Sequence, residues 1–152
     1  MLERIEERIL EIRGKKVMLD RDLAQLYGVE TRTLNQAVNR SLERFPNDFM
    51  FRLTPKEDEG LRSQVVISNR GGRRFLPYAF TEHGILMLAN VLRSERAVQV
   101  SIQIIRVFAR MREMVQGYRE LIERIQKIER RQDAESREIW KAVTLLQKGL
   151  LK

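Results

Sequence analysis

The sequence predicts an α+β fold, in which a helix-turn-helix domain with short strands precedes a long C-terminal helix or coiled coil. Three observations lead to this prediction. Apolar residues at helical spacing are interrupted by short strand-like runs. Gly28 separates two short helical patterns. From Ala97 onwards, apolar residues recur at alternating intervals of three and four.

The first predicted elements are a helix and a short strand. Apolar residues at helical spacing predict a helix over residues 2–13, which Gly14 is well placed to end. The run "KKVML" that follows predicts a short strand or an extended entry into the next helix. The N-terminal part therefore contributes one helix and one strand to the expected domain.

Two short helices around Gly28 form the most informative stretch of the chain. Asp20 is placed to cap the first helix, residues 21–27, and Thr31 to cap the second, which runs over residues 31–44. Gly28 makes the turn between them because a positive φ costs least at glycine. This arrangement predicts a helix-turn-helix.

Strands and helices alternate in the middle of the chain. The run "FMFRLT" has the alternating pattern of a half-buried strand, and Thr54 and Glu57 form a capping box for the helix after it. "FLPYAF" is a second strand-like run, in which Pro77 indicates an edge position. Thr81 and Ser94 are placed to cap the last two helices.

The C-terminal part is predicted to be one long helix with a heptad seam. Up to about Met114 more than one face is apolar, so this half is expected to pack on the domain. Beyond it the apolar stripe narrows between charged flanks. We therefore predict a domain over residues 1–114 and a coiled-coil oligomerisation tail over residues 115–152. The predicted oligomerisation residues are Tyr118, Leu121, Ile125, Ile128, Ile139 and Leu146.

The seam leaves the number and orientation of the strands in the coil open. Gln132 and Glu135 place polar groups on it, either as a device that sets the register or as a break. Gly117 would cost the helix about 1 kcal/mol relative to alanine.

The composition favours a polyanionic partner. The formal charge is +8, since 29 basic residues outnumber 21 acidic ones, and such a surplus most often serves nucleic-acid binding. There are no cysteines, which excludes disulfides, thiol catalysis and cysteine-ligated zinc. The charged start lacks the apolar core of a signal peptide, and "ILMLANVL" is too short to cross a bilayer. We expect a cytoplasmic protein with no membrane partner.

The outer side of the helix over residues 31–44 carries side chains suited to reading DNA. At about 100° per residue, Leu34 and Val38 fall on the packing side, opposite a set of amides and guanidinium groups. Amides pair with adenine, arginine pairs with guanine, and threonines at a helix start bind phosphate. A merely solvated helix stays an alternative, and Glu43 is an acid near the expected phosphate. The predicted DNA-binding residues here are Thr31, Arg32, Thr33, Asn35, Gln36, Asn39, Arg40 and Arg44.

A Gly-Gly turn flanked by arginines is the second candidate. Between Gly60 and Thr81 the chain has four arginines and no acid, which predicts a wing that reaches phosphate or the minor groove. Arg70, Arg73 and Arg74 are the DNA-binding residues predicted for this wing. An ordinary exposed loop explains the same pattern about equally well.

Catalytic chemistry is not indicated. The single histidine, His83, has no second metal ligand or nucleophile near it in the sequence, and no metal spacing occurs. We expect no enzyme activity, no metal and no cofactor.

Four segments together resemble a known family. They are "VMLDRDLAQLYGVETRTLNQAVNR", "RFPNDFMFRLT", "SQVVISNRGGRRFLPYAFTEHGILMLANVL" and "AVQVSIQIIRVFARMRE", in consistent order over about residues 10–113. The chain resembles the N-terminal domain related to KilA-N and Bro-N of phages and large DNA viruses, the open-reading-frame-six N-terminal family. The resemblance implies a non-enzymatic DNA-binding domain of prophage regulators and antirepressors, with the helix over residues 31–44 as the DNA reader. The chain departs from the family in its tail, where only coiled coil is evident.

Two functions are therefore expected. The leading one is a sequence-specific regulator of transcription that binds double-stranded DNA as a homodimer or higher homo-oligomer through the coil. The alternative is a phage antirepressor that acts mainly through protein–protein contacts of the tail with a repressor. RNA binding is less favoured because the aromatic residues form no stacking platform in the sequence.

Overall fold

The computed structural model describes residues 4–64 and 75–150 of the chain. It confirms the predicted α+β fold, with helices around a small antiparallel sheet and a long helix after them. The chain divides into two compact units, Met1–Ala109 and Arg110–Lys152. In chain order the elements are α1 (Ile5–Arg8), β1 (Leu10–Ile12), β2 (Lys15–Leu19), α2 (Asp20–Tyr27), α3 (Thr31–Arg40), a 3₁₀ turn (Leu42–Arg44), β3 (Met50–Arg52), α4 (Pro55–Gln64), β4 (Tyr78–Phe80), α5 (Glu82–Leu92) and α6 (Glu95–Leu150).

The strands of the described residues form one antiparallel sheet in the order β1-β2-β4-β3. Met18 of β2 pairs with Phe80 of β4, and Phe80 pairs on its other side with Met50 of β3. The strand β4 therefore joins two segments that are more than thirty residues apart in the chain. This sheet is the frame on which α2 and α5 rest.

The predicted helix over residues 2–13 is wrong. Of the described part of this range, from residue 4 onwards, Ile5–Arg8 alone is α-helical, and Leu10–Ile12 forms β1, which pairs with β2 across a two-residue turn. The turn residues Arg13 and Gly14 both have positive φ, 56° and 73°, as the tight hairpin turn of type I′ requires. Apolar residues in this stretch satisfy both helical and strand spacing, and pairing with β2 decides between them.

The edge position predicted from Pro77 is also wrong. The strand begins after the proline, at Tyr78, and β4 lies inside the sheet between β2 and β3. Pro77 contributes only its carbonyl oxygen, which accepts a hydrogen bond of 3.0 Å from the backbone N–H of Leu53. Proline has no backbone N–H to donate, and it is tolerated just before this interior strand because only its carbonyl oxygen takes part in the pairing.

Three of the predicted helix caps are confirmed. The Thr54 hydroxyl accepts from the N–H of Glu57 at 3.1 Å, and the Glu57 carboxylate accepts from the N–H of Thr54 at 2.8 Å, which completes the capping box of α4. Thr81 caps α5 through the N–H of Gly84, and Ser94 caps α6 through the N–H of Ala97. These helix starts follow from local sequence alone.

The core occupies both faces of the sheet. One face carries an apolar cluster that Leu61 of α4 covers in part; its buried members are Ile12, Val17, Leu19, Phe51, Leu53 and Ala79. Met18 and Phe80 alternate with these residues along their strands, so they point to the opposite face. There the helices contribute fully buried Leu23, Leu34, Ile85 and Leu88. The sheet is thus packed on both sides.

The long helix α6 begins at Glu95 and continues to Leu150, past Gly117 and past the Gln132 and Glu135 positions. In its first part, Ala97 and Ile104 are buried, as predicted for the half that packs on the domain. Burial ends at Phe108, however, and Met114, where the packed half was expected to end, is 71% exposed. In the second unit most of the described large apolar side chains are exposed, whereas Met111, Ile122 and Val143 are half-buried. Within the described residues, no helix has both the length and the apolar character needed to cross a membrane.

Candidate nucleic-acid interface

The two sides of α3 differ sharply in burial. Leu34 and Val38 are completely buried and hold the helix on the core. The opposite side is exposed and carries Arg32, Gln36 and Asn39, as the helical spacing predicts. This helix therefore has an anchored face and a free polar face rich in amide and guanidinium groups.

The helix-turn-helix is confirmed in its turn and corrected at its ends. Gly28 takes the left-handed conformation, with φ of 75°, after α2. The N-cap of α3 is Glu30, without a side-chain hydrogen bond, so the predicted capping by Thr31 is wrong. The helix ends at Arg40 and a 3₁₀ turn follows, because the backbone leaves helical geometry at Ser41. The predicted helix over residues 31–44 is thus two pieces.

The start of α6 holds the turn in place. The Arg96 guanidinium lies so close to Gly28 that a β-carbon there would meet its Nε at 3.0 Å, and Nη2 of Arg96 donates to the carbonyl of Leu26 at 3.4 Å. Tyr27 and Ser101 share a buried hydroxyl–hydroxyl hydrogen bond of 2.8 Å. Burial raises the pKa of Tyr27 to about 12, although the hydrogen bond to Ser101 opposes this shift. The phenol therefore stays neutral and keeps α2 attached to α6.

Asp20 joins three elements beneath the polar face. One of its carboxylate oxygens accepts from the N–H of Arg21 at 2.8 Å. The other accepts from the side-chain amide of Asn35 at 3.0 Å and from the N–H of Tyr78 at 3.2 Å. Asp20 is 5% exposed, and α2 begins at this residue, so it does not precede the helix as the predicted cap would. The carboxylate locks α3 to the entrance of β4.

A groove lies between the polar face of α3 and the segment that leads into β4. Its volume is about 880 Å³. The far wall carries Phe75, which is 76% exposed, and Arg52, whose guanidinium stacks on the Tyr78 ring at 4.4 Å. The arginines on the wall are cationic, and the one acid is engaged by donors, which makes the groove suited to an anionic ligand. Its lining residues are Asp20, Arg21, Thr31, Arg32, Asn35, Gln36, Asn39, Arg52, Phe75, Leu76, Pro77 and Tyr78.

The sequence pattern of the ORF6N domain matches residues 7–91, more than half of the chain. The chain belongs to the ORF6N domain family. The matched range includes the whole sheet, the helix-turn-helix and nearly all of α5. Neither the comparison with curated proteins nor the comparison with solved structures gives a match. Membership indicates a regulatory or DNA-binding role of phage type without specifying a target or a partner.

The ORF6N domain brings together some of the residues predicted to bind DNA and separates others. Those that line the groove are Thr31, Arg32, Asn35, Gln36 and Asn39. Thr33, Arg40 and Arg44 are exposed but do not line it. Arg70, Arg73 and Arg74 lie outside the described residues, as does the predicted wing.

Asn35 differs from the other predicted DNA-binding residues of the ORF6N domain. Its amide nitrogen donates to Asp20, and its Oδ1 is buried without a hydrogen-bond partner among the described residues. A buried acceptor without a partner is costly, so this oxygen is a point where a water or a ligand donor gains a hydrogen bond. The Asn35 side chain thus lines the groove and also contacts the buried carboxylate of Asp20.

Among the groove residues that sequence reasoning missed are Arg21, Arg52 and Phe75. Arg21 follows Asp20 at the start of α2, and Arg52 alternates with buried residues of β3. The strand pattern predicts that Arg52 points outward. It does not predict that Arg52 lies near α3, because strand pairing brings β3 and α3 to the same groove. Phe75 carries a signal of a different kind, as a large apolar residue that stays exposed.

No metal centre is present among residues 4–64 and 75–150, where histidine and carboxylates form no cluster of three suited to a cation. His83 stacks on the ring of Phe49, with centroids 5.6 Å apart. That contact gives the histidine a packing role at the start of α5.

Proposed function

We propose that this ORF6N protein is a sequence-specific regulator of transcription of prophage type, which binds double-stranded DNA and acts in the cytoplasm. One observation carries the proposal: α3 buries Leu34 and Val38 completely while its opposite side stays exposed and polar. A helix anchored in this way and following a tight turn has the arrangement with which helix-turn-helix proteins enter the major groove. We propose no catalytic role, cofactor or metal.

The polar face divides into two kinds of contact. Gln36 and Asn39 present a donor and an acceptor on one side chain, which suits the edge of adenine, and Arg32 and Arg40 suit guanine. Contacts to bases select the sequence, whereas contacts to phosphates set position and salt sensitivity. Phosphate contacts come from Thr31, Thr33 and Arg44, from Arg21 and Arg52 of the groove, and from Arg70, Arg73 and Arg74 of the predicted wing.

The tail supplies dimerisation in this proposal. Its large apolar residues are exposed in the single chain, Tyr118 at 65% and Ile128 at 57%. An exposed apolar stripe of this length on a helix is the usual sign of a helical partner. Two copies joined by their tails would present two reading helices to a DNA site with two half-sites.

Selection of binding sites from a random pool of DNA duplexes tests the function directly. The expected result is one enriched motif, bound at least about a thousandfold more tightly than unrelated DNA at physiological salt. Binding at two salt concentrations should give affinity that falls steeply as salt rises, since phosphate contacts release counterions. Equal binding of enriched and random duplexes would contradict sequence-specific recognition.

The alternative is an antirepressor that binds a repressor protein through the tail. The same exposed stripe favours it, because a second kind of protein would cover the apolar residues equally well. Under this alternative, the full chain captures a phage repressor, Ile125→Asp abolishes capture, and Gln36→Ala has no effect. Loss of capture in the α3 variant but not in the tail variant would exclude it.

A further inference from the structure

The seam of the α6 tail is mostly apolar and is interrupted by two consecutive polar core positions. Gln132 and Glu135 occupy adjacent core positions, and every core position from Tyr118 to Gly149 is exposed in the single chain. In heptad notation the a positions are Tyr118, Ile125, Gln132, Ile139 and Leu146, and the d positions are Leu121, Ile128, Glu135, Ala142 and Gly149. A partner helix has to match this order of polar and apolar residues.

We propose that two copies associate through their tails as an antiparallel coiled coil whose twofold axis passes between Asp133 and Ala134. The proposal rests on the dimerisation put forward under the proposed function and adds the orientation and the register of the two helices. In an antiparallel pair each a residue faces a d residue of the second copy, whereas in a parallel pair a faces a and d faces d.

The polar positions favour the antiparallel pair. With the axis between Asp133 and Ala134, Gln132 faces Glu135 of the second copy, and this layer occurs twice. The Gln132 amide donates a hydrogen bond to the carboxylate, so both polar groups gain a partner. In a parallel pair, Glu135 would face Glu135 of the second copy inside the seam, where two like charges repel.

The apolar positions follow the same register. Ile128 faces Ile139 and Leu121 faces Leu146 of the second copy, so the large aliphatic residues meet. A shift of one heptad in either direction would instead place Glu135 against Ile125 or Ile139. The large Tyr118 and Ile125 meet the small Gly149 and Ala142, and such alternation of size keeps the layers filled without overlap.

The residues flanking the seam are also complementary in this register. Arg131 lies beside Glu138 of the second copy, which gives two opposite-charge pairs per dimer, and the half-buried Ile122 and Val143 lie beside each other. A parallel pair would place Glu138 beside the apolar Val143. Its favourable flanking pairs join Arg124 and Glu129, also twice per dimer, and they do not offset the repulsion at Glu135.

Cysteine cross-linking distinguishes the two orientations, because the natural chain has no cysteine. The full-length double variant Leu121→Cys/Leu146→Cys is oxidised and its cross-linked peptides are mapped. The antiparallel pair links position 121 to position 146 of the second copy. Links that join 121 to 121 and 146 to 146 would overturn the orientation and leave the dimer and its DNA binding intact. A monomeric mass of the wild type in sedimentation would overturn the dimerisation as well.

Charge exchange at the flanks gives a second, independent test. Arg131→Glu and Glu138→Arg should each raise the dimer dissociation constant about tenfold, because two attractive pairs become repulsive. The double exchange should restore most of the affinity. Arg130→Glu makes the same charge change off the seam and should leave the dimer unchanged. Equal weakening by Arg130→Glu and Arg131→Glu, or a double exchange weaker than both single ones, would overturn the proposed register.

Discussion

At the scale of single residues, Asp20 does most to shape the candidate interface. Its buried carboxylate accepts hydrogen bonds from α2, from Asn35 on α3 and from the backbone at the entrance of β4. Asn35 and Tyr78 lie 15 and 58 residues from Asp20 in the chain, so the aspartate determines where the polar face of α3 stands relative to the groove wall. A buried carboxylate is stable in this position because each of these N–H groups compensates part of its lost hydration.

Asp20→Ala should lower the stability of the fold. Removal of the carboxylate leaves its donors without an acceptor, which should reduce the free energy of unfolding by about 2–4 kcal/mol. Denaturation by urea measures this loss, and Asp48→Ala, at an exposed aspartate, serves as the control with a change within about 0.5 kcal/mol. An Asp20→Ala variant as stable as the control would show that the hydrogen bonds of the Asp20 carboxylate do not stabilise the fold.

At the scale of elements, one side chain, Glu57, both caps α4 and connects this helix to the turn between β1 and β2. Glu57 completes the capping box with Thr54 and also binds the Arg13 guanidinium through both oxygens, each at 2.9 Å. The Arg13 hydrogen bonds and the Thr54 N–H hold the pKa of Glu57 down, from its usual 4.5 to about 2. The cap of α4 is thereby tied to the turn between β1 and β2.

The lowered pKa of Glu57 predicts an acid-sensitive contribution to stability. A carboxyl whose folded pKa lies below its unfolded value stabilises the fold above pH 4.5, and this contribution is lost as the pH falls towards 2. Glu57→Gln should therefore flatten the decline in unfolding free energy between pH 4.5 and 2. Glu59→Gln on the same helix is the control, and an equally flattened profile there would argue against Glu57 as the cause.

The polar face of α3 yields a prediction about specificity. Gln36→Ala or Asn39→Ala should reduce the discrimination between the selected site and single-base variants of it by about 1–3 kcal/mol per lost bidentate contact. Competition binding with duplex variants measures the loss at each base pair. Gln99→Ala makes the same chemical change on α6 and should leave discrimination unchanged. Uniform weakening on every duplex would instead assign these side chains to phosphate contacts.

At the scale of the whole molecule, the polar face of α3 and the exposed apolar stripe belong to different compact units, and the proposed function gives them separate tasks. The surplus of eight positive charges is a property of the whole chain, whereas the polar face of α3 lies in the first compact unit. The exposed apolar stripe lies in the second unit and has the pattern of a coiled coil. We expect association through the tail to affect DNA binding only because it determines how many copies of α3 one assembly presents to the DNA.

Ile125→Asp should separate these tasks. A charge at a core position of the seam should make the protein monomeric and lower its affinity for the selected two-half-site duplex about tenfold or more, because the second contact is no longer intramolecular. Affinity for a single half-site should not change. Gln126→Asp places the same charge beside the seam and should keep the dimer. Undiminished binding by a monomeric Ile125→Asp would remove the tail from DNA recognition.

The elements that depend on local chemistry were predictable from the sequence. The capping box at Thr54, the left-handed turn at Gly28 and the buried side of α3 follow from residue types and spacing within a few positions. The two misassigned strands depend on their pairing partners, and only for β4 are those partners distant in the chain. Leu10–Ile12 forms β1 instead of the predicted helix because it pairs with β2. The strand β4 lies inside the sheet because both β2 and β3 pair with it.

The sequence by itself determined the helix-turn-helix, its polar outward face, the heptad seam and the positive charge, since periodicity and charge are properties of neighbouring residues. Only the tertiary structure decided that Asp20 anchors Asn35 and that Arg52 and Phe75 stand across a groove from α3. The physical reason is that hydrogen bonds and strand pairing join segments dozens of residues apart, and local preference carries no information about which distant group will be there.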